Sequence, residues 1–359
     1  MLRVAINIYP LKSAHKNRGI GYYTSNLLAH LEKENNLEVV RFEHPSEIKD
    51  VDVVHYPWFD FYFHTLPIRK KFKTVVTIHD TIPIIFPSHY PVGIKGKINF
   101  ILQKLSLNWV DAIISDSESS KKDIIKYLGI KSSKIFSIPL AAEEDFKKSL
   151  NDTKLIQVRR KYKLPDRFLL YVGDANWVKN LPFLIKGFSE IIKKKELVDL
   201  RLVLIGGVFL KNVDNIDHPE LESLKKVSKL INELDLSNKI IKPGNLEKED
   251  LIAFYNLATV YVQPSIYEGF GLPILEALSC GTPVISSNGG SLPEVGGDAA
   301  VYFAPNNLPQ FIKVLVEILL NQSLQKKLSN LALERATNFS WERVIIETRE
   351  VYLRVLENA

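Results

Sequence analysis

ATVYVQPSIYEGFGLPILEALSCGTPVISS, residues 258–287, decides the fold. A β-branched and aromatic run ends at Pro264, a turn bearing Gly269 and Gly271 follows, an apolar helical pattern starts near Leu272, and a second strand-like run opens at Pro283. Strand, turn, helix and strand in this order form the βαβ unit of a parallel sheet. Glycines at 269 and 271 let the backbone approach a ligand and take positive φ. The first N–H groups of the helix have no partner inside it and lie at the positive end of its dipole, so the turn suits an anion or a hydroxyl. Glu268 opens the turn, and Glu276 lies four residues past Leu272. A carboxylate at 276 can accept two hydrogen bonds from a vicinal diol such as a ribose. The plainer alternative makes Glu268 a helix cap and Glu276 a solvated helical side chain.

The same alternation runs outward from this stretch. Strand-like runs come before it at 3–9, 37–42, 51–56, 74–79, 112–117, 168–173, 201–206 and 239–244, and after it at 300–303. Helical periodicity fills 20–34, 94–109, 118–128, 180–195, 219–234, 247–257, 271–280, 308–320, 322–337 and 341–357. This predicts α/β architecture with parallel sheets. At 359 residues the chain exceeds what one core usually holds, and the pattern restarts midway. Two Rossmann-like, doubly wound domains are expected, 1–150 and 151–339, with the boundary in the polar stretch AAEEDFKKSLNDTKLIQ (141–157). Such folds bind ligands beyond the carboxyl ends of their strands, so functional residues belong just after strands, on a central cleft that the two domains face.

Apolar residues at 46% and charged residues at 25% exclude a disordered, collagen-like or disulfide-stapled chain. No run reaches the ~18 apolar residues of a spanning helix. MLRVAINIYP enters a strand at once without a leader-like segment, and the single cysteine, Cys280, suits a reducing compartment. The expected location is cytoplasmic, with peripheral attachment at the inner membrane face as an extension. The net charge of +6 favours anionic partners. RKKFK (69–73), KKK (193–195), Lys95 and Lys97 either face phosphates or an anionic bilayer, or are ordinary solvated side chains. No basic stripe with interleaved aromatics is present, so nucleic acid is not an expected partner.

The frame E-G-F-G-L-P-x-x-E-A-L-x-C-G-T-P-V, with seven residues between its glutamates, resembles the hallmark of the retaining family 4 glycosyltransferases (group 1 glycosyltransferases), which use nucleotide sugars and share the two-domain GT-B fold. The resemblance continues through NRGIGYYT, VTIHDTIP (76–83), SDSESSKKD (115–123), Y-V-G-x(5)-K-N-L (171–181) and FSWE (339–342). It implies that Glu276 binds the donor ribose. It implies that Glu268, with the amides of Gly269, Phe270 and Gly271 and with Leu272 at the helix start, holds the transferred sugar. The stretch 340–359 would be a helix crossing back onto the N-terminal domain, and Trp341, Val344, Ile345 and Tyr352 fall near one helical face.

Lys179, several residues past FLLYVGD, either offsets charge on the departing diphosphate or is an exposed loop lysine; Asn180 follows it. Many family members carry an arginine directly after the glycine or directly before the lysine, whereas this chain has Asp174 and Val178 there. Either another cation such as Arg18 compensates or the donor is used differently. Gly19 and Gly21 precede a helix and either close over the donor phosphate, form a plain helix start, or belong to a dinucleotide fingerprint with Glu43 as its acid. Thr24 in place of the third glycine and the long gap after the strand weigh against the fingerprint. His79-Asp80 ends a strand, and the resemblance puts His79 near the transferred sugar; the alternative is a satisfied core histidine. In HYPWFDFYFH (55–64), Trp58, Phe59, Phe61 and Tyr62 either stack on an acceptor or pack the core. Asp50-Val51-Asp52 spells a metal–diphosphate motif but reads as a strand entrance, since no second acidic cluster supports it. No H-E-x-x-H, G-x-S-x-G or G-x(4)-G-K-[ST] occurs.

The expected function is a retaining hexosyltransferase moving a hexose, with a family-based lean to mannose from GDP-mannose, onto a hydroxyl of a glycan or lipid-linked acceptor. Catalytic residues would be His79, Glu268 and Lys179. Donor contacts would come from Gly19, Gly21, Lys179, Asn180, Gly269, Phe270, Gly271, Leu272 and Glu276, and acceptor contacts from Trp58, Phe59 and Asp80. The nucleotide diphosphate sugar is a co-substrate, and neither a metal nor another cofactor is expected. The alternatives are a nucleotide-sugar epimerase or NAD-dependent oxidoreductase on a Rossmann-like fold, or an inert binding subunit.

Overall fold

Runs such as FLLYV and AIIS put apolar side chains on both faces of a strand, which is stable only where helices cover the sheet on both sides. The computed structural model describes residues 1–13, 16, 19–149, 152–211 and 221–357. Among them the chain divides into two units, Met1–Ala141 with Phe339–Ala359, and Ala142–Asn338. Each unit is built on a six-stranded, wholly parallel sheet.

In the first unit the strands are β1 (Leu2–Asn7), β2 (Leu37–Phe42), β3 (Val53–Tyr56), β4 (Lys73–Ile78), β5 (Ala112–Ser115) and β6 (Ile135–Ser137), in the spatial order 2-1-3-4-5-6. Helices α1 (Tyr9–Lys12), α2 (Gly19–Leu31), α3 (Ile82–Ile85), α4 (Ile94–Trp109) and α5 (Glu118–Asp123) connect them. The pattern 118–128 read as one helix, but α5 widens into a π-helical turn over Ile124–Leu128.

In the second unit α6 (Asp152–Lys161) precedes β7 (Phe168–Val172), and then α7 (Leu181–Ile191), β8 (Arg201–Ile205), α8 (Glu222–Glu233), β9 (Ile240–Gly244) and α9 (Lys248–Leu257) follow. Next come β10 (Val260–Gln263), α10 (Leu272–Ser279), β11 (Val284–Ser287), α11 (Leu292–Gly296), β12 (Ala300–Phe303), α12 (Leu308–Leu320) and α13 (Gln322–Ala336). The spatial order is 12-11-10-7-8-9, the 3-2-1-4-5-6 arrangement of a dinucleotide-binding sheet read from the other edge. Helix α6 departs from expectation, because 141–157 read as a polar linker. A buried acid explains it: Asp250 accepts hydrogen bonds from Lys154 (3.2 Å), Lys161 (2.7 Å) and Tyr162 (2.8 Å), which tie this polar helix to α9.

The last helix, α14 (Trp341–Glu357), packs within the first unit and buries Trp341, Val344, Ile345, Thr348, Val351, Tyr352 and Val355. Its anchor is polar. The Tyr352 hydroxyl lies 2.7 Å from Nδ1 of His55, whose Nε2 lies 2.9 Å from Thr77 Oγ1. Burial pushes the His55 pKa down to about 3, so this imidazole is neutral and can both donate and accept.

Candidate active site

In the second sheet the strand order reverses between β7 and β10, and the crevice beyond the carboxyl ends of those strands is the ligand position of doubly wound folds. Lys179, past β7, and Glu268, past β10, meet there. Lys179 Nζ donates to Glu268 Oε1 at 2.7 Å and Oε2 at 2.9 Å. Oε1 also accepts from Gln263 Nε2 (2.8 Å) and Ser265 Oγ (2.6 Å), and Gln263 is itself held by the Tyr261 hydroxyl. Three donors, making four hydrogen bonds, thus orient a buried carboxylate. The alternative of Glu268 as a helix cap falls, because Gly271 occupies the N-cap of α10 and no side chain caps the helix.

The turn that carries Glu268 rests on backbone. Gly271 has φ of +105°, and a Cβ there would lie 2.8 Å from Leu292 Cδ2. The next loop packs beneath: Ser291 Oγ donates to the carbonyls of Glu268 (3.0 Å) and Phe270 (2.7 Å). Gly290, at φ of +63°, leaves no room for a Cβ, which would sit 2.4 Å from Glu268 O. Phe270 is buried, and Leu272 begins α10.

Glu276 is not a solvated side chain. It is partly buried and accepts a 2.6 Å hydrogen bond from the Tyr255 hydroxyl. Burial drives its pKa up to about 7, against the lowering effect of the tyrosine; the Glu143 charge adds to the rise. Asn180 takes a left-handed conformation (φ 54°) at the N-cap of α7, and its buried Nδ2 has no hydrogen-bond partner. Val178, at one of the two places where many family members carry an arginine, is buried. Asp174 turns back on its own loop, accepting from the amide of Ala175 at 2.7 Å. Arg18, the compensating cation considered above, lies outside the described residues.

In the first unit His79 directly follows β4. Nδ1 is 2.7 Å from Asp116 Oδ2 and Nε2 is 3.1 Å from the Pro57 carbonyl, so with both ring nitrogens facing acceptors the imidazolium is the form that satisfies the site. Burial opposes that charge, but Asp116 and the carbonyl outweigh it and raise the pKa. Tyr23 packs edge-on against the ring at 4.9 Å. Asp80 Oδ1 accepts from the Ile82 amide at 2.9 Å. Phe59 and Phe61 are core residues and Trp58 is buried against Tyr9, so the packing alternative holds for this aromatic stretch, and Phe59 offers no stacking surface. Gly19 and Gly21 open α2, and Gly21 is buried. Helix α1 separates them from β1, and Glu43 pairs with Lys12. The tight strand-to-helix turn of a dinucleotide fingerprint is therefore absent there. Asp52 accepts from the Arg3 amide at 2.8 Å at the entrance to β3.

The sequence reading missed Gln263, Ser265, Ser291, Tyr255 and Asp116. The available signals were polar residues at the end of an apolar strand (Gln263) and just beyond one (Asp116), and a Gly-Gly-Ser run after β11 (Ser291).

Residues 153–335 match the model of the glycosyl transferases group 1, and residues 39–146 match that of Glycosyltransferase Family 4. The serotype-specific mannosyltransferase WbdA of Escherichia coli is 32% identical over 84% of the chain, which spans 36% of that relative's length. The O-antigen chain mannosyltransferase B of Escherichia coli is 29% identical over 91% of this chain and 82% of its own. Among solved structures, Anabaena Alr3699/HepE in complex with UDP and glucose is similar in fold, with a TM-score of 0.75 at 14% identity over 98% of this chain and 99% of that one.

Proposed function

The chain belongs to the group 1 glycosyl transferases, and from that premise we propose that it is a hexosyltransferase, with the donor, chemistry and residues that follow. The reaction moves mannose from GDP-mannose, with retention at the anomeric carbon, onto a hydroxyl of a glycan or lipid-linked acceptor. The mannosyltransferase names of the relatives support the sugar. The observation that carries the reading is the Lys179–Glu268 pair at the switch point of the second sheet.

As the bond between the sugar and the diphosphate breaks, negative charge grows on the leaving oxygen and positive charge on the ring. Lys179 and the amides opening α10 meet the first, and the Glu268 carboxylate, held by Gln263 and Ser265 before substrate arrives, faces the second. Donor binding turns Lys179 from Glu268 toward phosphate, and Asn180 Nδ2 gains the acceptor it lacks. Glu276 receives the ribose diol. Asp116 keeps Nδ1 of the charged His79, and donor binding turns its Nε2 from the Pro57 carbonyl to the transferred sugar. Charge on the diphosphate is met without a bound cation. The acceptor's setting is the anionic inner face of a membrane.

A thermal-shift panel of nucleoside diphosphates and their sugars tests this, since a ligand of the folded state raises apparent stability. GDP-mannose should stabilise most and release GDP slowly without acceptor, and Glu268→Ala should abolish release. Stabilisation by UDP-sugars alone would overturn the donor, and undiminished release in Glu268→Ala would overturn the site.

A further inference from the structure

Helix α4 packs Leu107 and Phe100 against the core but carries a second, exposed apolar face. Its polar residues Gln103 and Ser106 are buried, while Ile94, Ile98, Ile101, Leu105 and Trp109 are 52–79% exposed. At 100° per residue these five side chains fall within an arc of roughly 80° and run roughly 22 Å along the helix. The inward polar face is used: Gln103 Oε1 accepts from the amides of Thr65 and Leu66, its Nε2 donates to Leu66 O at 3.2 Å, and Asn99 donates to Tyr62 O at 2.9 Å. These bonds pin the 60–68 loop along α4, and that loop exposes Phe63 and Ile68.

Charge is concentrated in the same segment. Between Asp60 and Asp111 the chain has seven Lys or Arg and one acid, Asp80; the totals are 47 and 41, so the rest holds 40 of each. Lys97 and Lys104 flank the apolar stripe on one side and Lys95 on the other. Asp111 is engaged by Lys70 and Lys73, which leaves Arg69 and Lys71 exposed.

We propose that α4 and the 60–73 loop are a docking surface for an anionic lipid bilayer, with α4 lying in the interfacial plane, its stripe among the acyl chains and its lysines at the headgroups. An apolar patch rimmed by cations fits such a surface, and Trp109 suits the interface. A second copy of the chain would bring the segment that carries the whole net charge against itself. The inference builds on the membrane setting proposed for the acceptor, and sedimentation with vesicles reads it without any sugar transfer, so the two can fail separately.

The full chain is sedimented with phosphatidylcholine vesicles, alone or with about a third phosphatidylglycerol. Binding to the anionic vesicles should exceed binding to the neutral ones at least ~10-fold and fall as salt rises. Ile98→Asp/Leu105→Asp should abolish it while keeping the melting temperature and donor turnover, since both positions are exposed. Lys95→Gln/Lys97→Gln, which alters no apolar side chain, should weaken it roughly 10-fold or more. Equal binding to both vesicle types, or undiminished binding by either variant, overturns the proposal. So does a lipid-free dimer of the wild type, seen by sedimentation equilibrium, that the Ile98→Asp/Leu105→Asp variant loses.

Discussion

Lys179 and Glu276 carry the sharpest residue-level expectations. Removing the lysine in Lys179→Ala leaves Glu268 with Gln263 and Ser265 and takes one charge-assisted contact from the diphosphate, worth about 1.5–3 kcal/mol. Titration calorimetry should show the donor affinity falling roughly 10- to 100-fold; an unchanged affinity would mean the lysine serves only to orient Glu268. Glu276 sets a pH dependence. Its pKa of about 7 exceeds the ordinary 4.5, so the folded state holds this proton more tightly than the unfolded chain does. Its contribution to stability is complete below the unfolded value and is lost as pH rises through 7. Donor binding runs the other way, because only the ionised carboxylate accepts from both ribose hydroxyls. Affinity should therefore climb between about pH 6 and 8. Glu276→Gln should flatten that profile, and a profile unchanged by the substitution would remove Glu276 from the ribose.

At the scale of elements, the Glu268 turn depends on two glycines that no other residue replaces. Gly290→Ala puts a Cβ against Glu268 O at an unfavourable φ, and Gly271→Ala does the same against Leu292. Each should cost about 1–3 kcal/mol in urea unfolding and slow donor turnover further by displacing the carboxylate. The strands were legible because a parallel strand covered on both faces must be an unbroken apolar run, and β7 through β12 lie within a residue or two of their expected spans. Helix α6 was not, since its hold on α9 comes from Asp250, almost a hundred residues away, and periodicity reports only local burial. The same limit governed the site. Glu268, Glu276 and Lys179 stood out beside strand ends and glycines. Gln263 and Ser265 acquired meaning only when the fold closed their side chains onto Glu268, and Asp116 only when β5 was laid beside β4. For Phe59, an apolar loop residue, sequence offered stacking and packing equally, and the core decided.

For the molecule as a whole, α14 is the element whose loss reaches furthest. Tyr352→Phe strands the buried His55 Nδ1 without its partner and should lower stability by about 1–3 kcal/mol, read by thermal unfolding; an unchanged melting temperature would mean the bond contributes nothing net. A chain ending at residue 338 uncovers Tyr23, on which Trp341 packs, and Tyr23 supports His79. Such a truncation should weaken catalysis more than donor binding, since Lys179, Glu268 and Glu276 lie in the other unit.

The placement of α14 also sets a timetable for synthesis. Domains usually mature in the order in which a ribosome delivers them. Here the sheet of the first unit waits for α14 to be translated before its His55 gains a hydroxyl partner, while the interrupting unit, between residues 142 and 338, is delivered earlier. The unit begun earlier is therefore completed after the one inserted within it, and a nascent chain stalled before α14 would present an assembled second unit attached to a first unit still open along one flank.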